Sequence, residues 1–322
     1  LINLDWEWLG SLCNSSAGCD FLTLSRTVHR QPLARDDRLI QITLRGLLGG
    51  HSGVDINRGR ANALVSLAGA LYHLTEADIP VRVVHFTGGQ AKNAIPAAAQ
   101  VTLAVPEFRV GQALDCLEQE RRSFENTFGH VENTAQWTVE RLVEGGGDAL
   151  TPQETEDLLG LLLTLPNNVH TMNPFAPGLV ESSQNLGLLT MEGDTVTLSA
   201  MERSCVAGRA AEILRATRLI ARRFGYTYLQ GEHAPAWAVN PDSTLTPLAC
   251  QIYQELTGQD MVVEPVHGGL ECGAFAEKNP RLDMIAIGPT LHNVHSPKER
   301  CDLDSVRVTA ELVATLLERL KS

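Results

Sequence analysis

The chain has 322 residues, of which 43% are hydrophobic and 20% are charged. That is the composition of an ordinary folded protein, and it excludes disorder as the main state. Lys and Arg number 26 against 38 Asp and Glu, so the formal net charge is −12. Such an acidic chain repels phosphate backbones, which argues against nucleic-acid binding, and no apolar run approaches the roughly 18 residues of a membrane span. The length suits two domains of roughly 150 residues each.

The first half of the chain predicts alternating strands and helices, from the spacing of its apolar residues. A loop rich in Trp, Gly, Ser and Asn follows the first strand, and a glycine cluster follows the second. The predicted strands are 1–4, 39–45, 82–86 and 100–105, and the predicted helices are 58–76, 110–128 and 153–164.

The second half continues with a strand pair and then changes character. A tight turn at 192–194 joins the pair, and the last hundred residues resemble the closing part of an α/β sheet with a site at its strand ends. The predicted strands are 179–190, 195–202, 261–264 and 284–288, the predicted helices are 207–224, 245–257 and 304–321, and 268–273 and 289–300 are predicted as turn and loop.

These patterns predict an α/β fold in two domains. Residues 1–30 and 226–322 form one domain, and residues 31–225 form an inserted α+β domain with two related halves. The seven cysteines are odd in number and scattered, with no CxxC pair, so they are expected to be free thiols in the cytoplasm. Residue 1 lies in a strand-like run without a basic leader, so no signal peptide is expected and the chain is expected to have lost a preceding segment.

Histidines and a carboxylate beside predicted strand ends are candidate metal ligands. His292 and His295 follow an apolar strand in a loop fixed by Gly and Pro, and Asp5 ends the first strand. Neutral imidazole and carboxylate are both zinc ligands. Alternatively, the histidines are surface loop residues and Asp5 is a cap or turn residue.

Four further residues are candidates for binding. His51 is flanked by glycines that allow a ligand close approach, and Asn93 precedes an Ala-Ile-Pro turn. Arg203 ends a strand, and its guanidinium could hold a carboxylate in a bidentate pair. Glu271 lies in a Gly-rich loop. Glycine turns, surface ion pairs and solvated acids explain the same residues without function.

The order of the motifs carries more information than any one of them. Along the chain occur LIN-x-D, GGHSG with GRANAL, GG-x-x-x-NAIP, VESS-x-NLG, E-R-S, HGGLECG and IGPT-x-x-x-x-HSP. This series resembles the aminoacyl-histidine dipeptidases, within the zinc peptidase family that includes aminoacylase, carnosinase and carboxypeptidase G. The resemblance covers essentially the whole chain. It implies a catalytic domain with two zinc ions and an inserted lid domain that often mediates dimerisation.

The resemblance also implies roles for individual residues. Asp5 and His295 match terminal ligands of the two zinc ions. His51 matches the lid histidine that stabilises the transition state. Substrate binding is implied for a lid arginine, its polar neighbour and a backbone turn in the cleft, which correspond to Arg203, Asn93, Gly268 and Gly269.

Residues 1–30 and 226–322 then correspond to parts of the catalytic domain, and 31–225 to the lid. The family's His-x-Asp motif, bridging Asp and Glu-Glu pair would lie upstream, and this sequence contains no His-x-Asp triplet and no Glu-Glu pair. The sequence also departs from the family at Asp5-Trp6-Glu7-Trp8 and at Gln184.

The expected function is therefore zinc-dependent hydrolysis of dipeptides, notably Xaa-His, with little or no turnover by the chain as given. The expected partners are a dipeptide substrate and a second copy of the chain, with no nucleic acid and no membrane. Two alternatives remain open: a non-catalytic dimerising or peptide-binding module formed by 31–225, and a rearranged single-zinc site formed by His292, His295, Glu271 and Asp5.

Overall fold

The computed structural model describes residues 1–142, 147–174, 178–294 and 298–321. Strands and helices alternate through most of these ranges. The strands are β1 (Ile2–Asn3), β2 (Ser11–Leu12), β3 (Gly18–Thr27), β4 (Arg30–Pro32), β5 (Asp37–Arg45), β6 (Arg82–Gly88), β7 (Ala99–Pro106), β8 (Gln136–Arg141), β9 (Asp148–Leu150), β10 (Asn168–Met172), β11 (Val180–Glu192), β12 (Thr195–Ser204), β13 (Thr227–Ala234), β14 (Val262–Val263), β15 (Ile285–Ala286), β16 (Leu291–His292) and β17 (Arg300–Cys301).

Seven α-helices occur in the described ranges, together with one 3₁₀ turn at Glu107–Arg109. The helices are α1 (Ala63–Glu76), α2 (Val110–Phe128), α3 (Pro152–Thr164), α4 (Ala207–Arg223), α5 (Leu245–Thr257), α6 (Cys272–Lys278) and α7 (Leu303–Arg319). None of them is long and apolar enough to cross a membrane. All seven cysteines are free thiols.

One nine-stranded antiparallel sheet dominates the molecule. Its order is β13-β3-β12-β11-β6-β7-β5-β8, and β10 pairs with β11 beside this path. Apolar side chains from one face of the sheet pack against α1, α2 and α3 in the main core, and α4 covers the same face at β11, β12 and β13. Helices therefore cover one face, and the opposite face near β11 and β12 is left for other contacts.

The start and the end of the chain meet in a second, smaller unit. β1 pairs in parallel with β15, and β2 pairs in parallel with β14. Leu12, Ile252, Ile285 and Leu316 are buried in a separate core between these short strands and the helices α5 and α7. The ends of β1 and β15 thus lie side by side, as expected for a site at parallel strand ends.

The predicted α/β fold is confirmed, and most predicted elements match observed ones. The helix predicted at 58–76 begins only at Ala63, because residues before it bind elsewhere: the Ala61 N–H donates to Glu132 and Asn62 caps the helix. The segment predicted as a turn at 268–273 already enters α6 at Cys272, and the short strands β16 and β17 pair with each other near the two ends of the predicted loop 289–300.

The sequence patterns missed β3, the ten-residue strand that pairs with both β12 and β13. Its first three residues are all buried, including the polar Asp20, so they interrupt the alternation that Leu22 and Leu24 show further along the strand. β3 and β13 both lie outside the predicted lid range 31–225 yet belong to the nine-stranded sheet. The division into 1–30, 31–225 and 226–322 stays a prediction.

Candidate functional site

A row of polar residues crosses the uncovered face of the large sheet. Ser183 on β11 lies opposite Arg203 on β12, and Arg203 lies opposite Cys19 on β3. Neighbouring residues on a strand point to opposite faces, so this row faces away from α4. Arg203 is only 5% exposed, and burial lowers its pKa from the ordinary value. A buried guanidinium therefore forms the centre of this face.

His51 reaches the same place from a glycine-rich loop. Gly49 and Gly50 have φ of +60° and +116°, a conformation that side chains disfavour. A Cβ on Gly50 would lie 2.0 Å from the Arg60 guanidinium, so the loop needs glycine there. The loop is fixed against the segment of Asn93, whose carbonyl accepts a hydrogen bond from the Ser52 N–H at 3.0 Å. The histidine is thereby held beside β12.

The His51 ring faces hydrogen-bond donors on both sides. Its Nδ1 lies 3.2 Å from the backbone N–H groups of Gly53 and Val54, and its Nε2 lies 3.2 Å from Nη2 of Arg203. Because Nδ1 accepts those hydrogen bonds, the ring proton belongs on Nε2. Two donors, the Nε2–H and the guanidinium, then face each other without an acceptor between them.

Burial, followed by the charge of Arg203, lowers the pKa of His51, while Asp55 acts in the opposite direction. The imidazole is therefore neutral at pH 7. The backbone N–H of His51 donates to Asp55 at 2.9 Å, which holds the residue in the loop.

His267 completes this cluster. It is 6% exposed, and burial, Arg203 and His51 together lower its pKa to about 3. Its Nε2 lies 2.8 Å from the hydroxyl of Ser183. Gly53 allows the approach of the two loops, since a Cβ there would lie 2.2 Å from the His267 carbonyl oxygen. His267, Ser183 and Gly53 were not singled out from the sequence, although they lie in the quoted HGGLECG, VESS and GGHSG motifs.

Arg203 lacks a carboxylate partner among the residues that the structure describes. No Asp or Glu oxygen in those ranges lies within 4.0 Å of its guanidinium, although it is buried. Its described side-chain contacts are with Ser52, His51 and the Met201 sulfur. A buried cation without a counter-ion is costly, so the arrangement suits an anion from outside the chain.

The other predicted binding residues lie around this cluster. Asn93 is exposed, and only its backbone is fixed by the described contacts. Gly268 and Gly269 directly follow His267, and a Cβ on Gly269 would meet nothing within 4 Å. Sterics therefore do not demand glycine at either position, although both lie next to a residue of the cluster.

Asp5 is exposed just beyond the end of β1. Its backbone N–H donates to Oδ1 of Asn3 at 2.7 Å, and Nδ2 of Asn3 donates to Glu271 at 3.2 Å. His292 lies nearby on β16, with its ring edge-on to Trp8 at 6.5 Å between centroids. The structure thus groups Asp5 with Glu271 through Asn3.

His295, the second predicted zinc ligand, lies outside the described residues, so its role stays a prediction. Within the described ranges no group of three or more His, Cys, Asp or Glu side chains could hold a metal ion. The described residues therefore do not complete a zinc site by themselves.

Comparisons of the sequence and of the fold with known proteins both find peptidases. Residues 48–319 match the peptidase family M20/M25/M40. The chain is 30% identical over 322 residues to the cytosol non-specific dipeptidase of Escherichia coli strain K12, covering 99% of this chain and 66% of that protein. It superposes on the crystal structure of aminoacylhistidine dipeptidase from Vibrio alginolyticus with a TM-score of 0.93 and 29% identity, covering 99% of this chain and 65% of that one.

The chain spans slightly less than two thirds of the length of either relative. The family match nevertheless extends over most of the chain, from the glycine loop of His51 to the last helix. The chain belongs to peptidase family M20/M25/M40.

Proposed function

We propose that the chain recognises dipeptides and contributes to their zinc-dependent hydrolysis, with Xaa-His dipeptides as the substrate class. The observation that carries the proposal is the pair formed by Arg203 and His51, which present two donors to one another across 3.2 Å. The E. coli relative is a cytosol non-specific dipeptidase and the Vibrio relative is an aminoacylhistidine dipeptidase, which supports the same substrate class.

A dipeptide offers the anion that this cluster lacks. Its carboxylate can accept two parallel hydrogen bonds from the Arg203 guanidinium, the geometry in which Arg binds carboxylates best. The site is buried, so the pair would be weakly screened by salt. Entry of the carboxylate would also separate Arg203 from His51 and relieve the contact between their donors.

His51 is then free to act on the peptide carbonyl. Its Nε2–H is a neutral donor, and hydrogen bonds to an oxygen strengthen as negative charge develops there in the transition state. The hydrogen bonds that Nδ1 accepts from Gly53 and Val54 hold this tautomer. We assign transition-state stabilisation to His51, and substrate binding to Arg203, Asn93, Gly268 and Gly269.

Zinc is the metal that we propose for the intact site, with Asp5 and His295 among its ligands. The exposed Asp5 carboxylate at the end of β1 is compatible with such a role. We also propose a cytoplasmic location and a homodimer.

A second function, a peptide-binding module without turnover, is favoured by one observation. Arg203 and His51 lie 3.2 Å apart, whereas no group of three or more possible metal ligands occurs among the described residues. Binding without hydrolysis would support this function, and hydrolysis would support the dipeptidase.

Calorimetric titration with L-alanyl-L-histidine and its carboxy-terminal amide tests the proposal. The free dipeptide should bind at least about tenfold more tightly than the amide, because only the former supplies a charge for Arg203. Arg203→Gln should remove the difference, whereas Arg209→Gln on the exposed side of α4 should preserve it. Equal binding of dipeptide and amide would contradict the proposed role of Arg203.

Turnover is measured separately on the same protein with added zinc, together with its metal content. Zinc-dependent hydrolysis that His295→Ala abolishes would support the dipeptidase with His295 as a ligand. Binding without hydrolysis would favour the peptide-binding module.

A further inference from the structure

A cavity lies on the helix-covered face of the large sheet, which is the face opposite to the Arg203 and His51 cluster. Its volume is about 650 Å³, within the range of small-molecule sites. The lining includes one flank of α4 and the segment around Trp237, with Leu282 and Met284 from the chain leading into β15. The proposed dipeptide site does not use this cavity.

A row of polar residues lies at the base of the cavity. Glu202 on β12 lies opposite Asp20 on β3, and Asp20 lies opposite His233 on β13. These residues are one position removed from the row of Arg203, so they point to the opposite face. Two ionised carboxylates directly opposite each other on neighbouring strands repel, so this pair favours either a proton on one carboxyl or a cation beside it.

The carboxyl of Glu202 is buried, and one of its oxygens has no hydrogen-bond partner among the described residues. Glu202 is 1% exposed, and its Oε1 has no hydrogen-bond partner among the described residues. No Lys, Arg or His nitrogen in the described ranges lies within 4.0 Å of it. Asp20, in contrast, accepts hydrogen bonds from Gln230 at 2.7 Å and from His233 at 3.0 Å, both at Oδ1.

Burial and, to a smaller extent, the negative charge of Asp20 raise the pKa of Glu202 to about 8, while the charge of Arg203 on the same strand acts to lower it. Beyond Asp20 lie His233 and Tyr228 on β13, and Arg218 of α4 stacks on the Tyr228 ring. The cavity rim adds another acid, Glu277. None of these cationic side chains lies within 4.0 Å of the Glu202 carboxyl in the part of the chain that the structure describes.

The walls distinguish between classes of cation. Leu214, Trp237, Leu282 and Met284 present apolar surface to the cavity. A hydrated metal ion gains nothing from such walls, and no metal-binding group of three or more ligands occurs among the described residues. A ligand that joins a cationic group to an apolar body matches both the acids and the walls.

We propose that this cavity is a binding site for an organic cation, a protonated amine on an apolar body, whose ammonium group pairs with Glu202 and Asp20. The ammonium donates to the free oxygen of Glu202, and the body lies against Trp237 and Leu214. This site is independent of the proposed dipeptidase function.

Binding of the cation favours the ionised form of Glu202, so a proton is released from that carboxyl as the complex forms. Affinity for an amine should therefore rise as the pH increases from about 6 to about 8.5, around the pKa of about 8 of Glu202. Affinity for a neutral molecule of the same shape should not change over this range.

The test is calorimetric titration of the purified chain with 2-phenylethylamine and with 2-phenylethanol, its neutral counterpart. We expect the amine to bind about tenfold or more tightly than the alcohol. Glu202→Gln, which keeps the size of the side chain, should abolish that preference. Glu277→Gln at the cavity rim is the matched control, and it should change the amine affinity less than about twofold.

Two further variants test the proposal even if Glu202→Gln fails to fold. Asp20→Asn should weaken amine binding, and Ala210→Phe, which puts a ring into the cavity, should block both compounds. Equal affinity for amine and alcohol would show only an apolar cavity and would overturn the proposal. Amine preference that survives both Glu202→Gln and Asp20→Asn would overturn it as well.

Discussion

The two histidines beside Arg203 differ in what they offer a ligand. His51 has its proton at the position that faces Arg203, whereas His267 is buried deeper and pairs with Ser183. Neither is charged at neutral pH, because burial and the guanidinium lower both pKa values. The single permanent charge of the cluster is therefore that of Arg203, which favours the proposed binding of a carboxylate at this face.

Gly53 is the residue that keeps this cluster compact. In Gly53→Ala the new methyl group would lie 2.2 Å from the His267 carbonyl oxygen, so the loop must move. We expect a loss of about 1–3 kcal/mol in unfolding free energy and about tenfold weaker dipeptide binding. Urea unfolding and calorimetry measure the two effects.

Gly69→Ala is the matched control, because a Cβ at Gly69 meets nothing within 4 Å and the residue lies inside α1. It should raise stability by about 0.5–1 kcal/mol and leave dipeptide binding unchanged. If Gly53→Ala, like Gly69→Ala, neither lowered the unfolding free energy nor weakened dipeptide binding, the close contact between the two loops would contribute to neither property.

His267 should make the protein sensitive to acid. Its pKa is about 3 in the folded chain against an ordinary value of 6.5, so below pH 6.5 the unfolded chain binds the extra proton. Stability is then complete above about pH 6.5 and falls by about 1.4 kcal/mol per pH unit below it. In His267→Gln this loss should be smaller, as measured by urea unfolding at several pH values. An identical pH dependence in both proteins would be inconsistent with a buried neutral His267.

At the scale of the element, the amino end of α1 depends on one side chain. Oδ1 of Asn62 accepts hydrogen bonds from the N–H groups of Leu64 and Val65, and Nδ2 donates to the Leu186 carbonyl on β11 at 2.9 Å. Asn62→Ala should therefore lose the cap and also leave a buried carbonyl without a donor. We expect a loss of about 2–3 kcal/mol in unfolding free energy.

Thr151→Ala is a suitable comparison, since Oγ1 of Thr151 caps α3 by accepting one hydrogen bond from the backbone N–H of Glu154. It should cost about 1 kcal/mol. If Asn62→Ala and Thr151→Ala lost the same unfolding free energy in urea, the hydrogen bond from Asn62 to β11 would contribute nothing to stability.

Elements with a clear period were predictable from the sequence, and those defined by tertiary contacts were not. The helices 110–128 and 245–257 match α2 and α5 because their apolar stripes face a core. β3 was missed, because polar Asp20 sits buried in it and interrupts the pattern that a strand would otherwise show. The late start of the helix predicted at 58–76 depends on Glu132, which is distant in sequence.

The candidate site was predictable in its residues more than in its arrangement. His51, Arg203 and Asn93 were identified through motifs, and the structure brings His51 and Arg203 into contact. His267 was missed because a histidine before two glycines has no distinctive pattern. Its importance comes from the fold, which brings its loop against Gly53.

At the scale of the whole molecule, the two buried polar rows give opposite pH dependences. Glu202 has a pKa of about 8 when folded against an ordinary value of 4.5, so between these values the folded chain keeps a proton that the unfolded chain loses. The contribution of Glu202 to the unfolding free energy therefore becomes less favourable as the pH rises from about 4.5 to about 8. Glu202→Gln should become more stable relative to the parent chain over this range, by up to about 1.4 kcal/mol per pH unit.

Thermal or urea unfolding of both proteins at several pH values measures this difference. Glu277→Gln, at the exposed rim, should follow the parent chain. A constant difference between Glu202→Gln and the parent would contradict a protonated, buried Glu202.

The homodimer stays a prediction of the family resemblance. Apolar side chains of Leu4, Leu317 and Leu320 are exposed around a groove between β1 and α7, which is a surface that an association could cover. Sedimentation velocity at increasing concentration should show a dimer. A monomer at every concentration would contradict the prediction.

Arg203 and His51 have no anionic partner among the described residues, and the proposed function gives that place to the carboxylate of a dipeptide. A crystal structure of the chain with bound L-alanyl-L-histidine tests this directly. The dipeptide carboxylate should lie about 2.7–2.9 Å from the Arg203 guanidinium, with the His51 Nε2–H pointing to a dipeptide oxygen. A dipeptide bound elsewhere, with Arg203 still 3.2 Å from His51, would contradict the account.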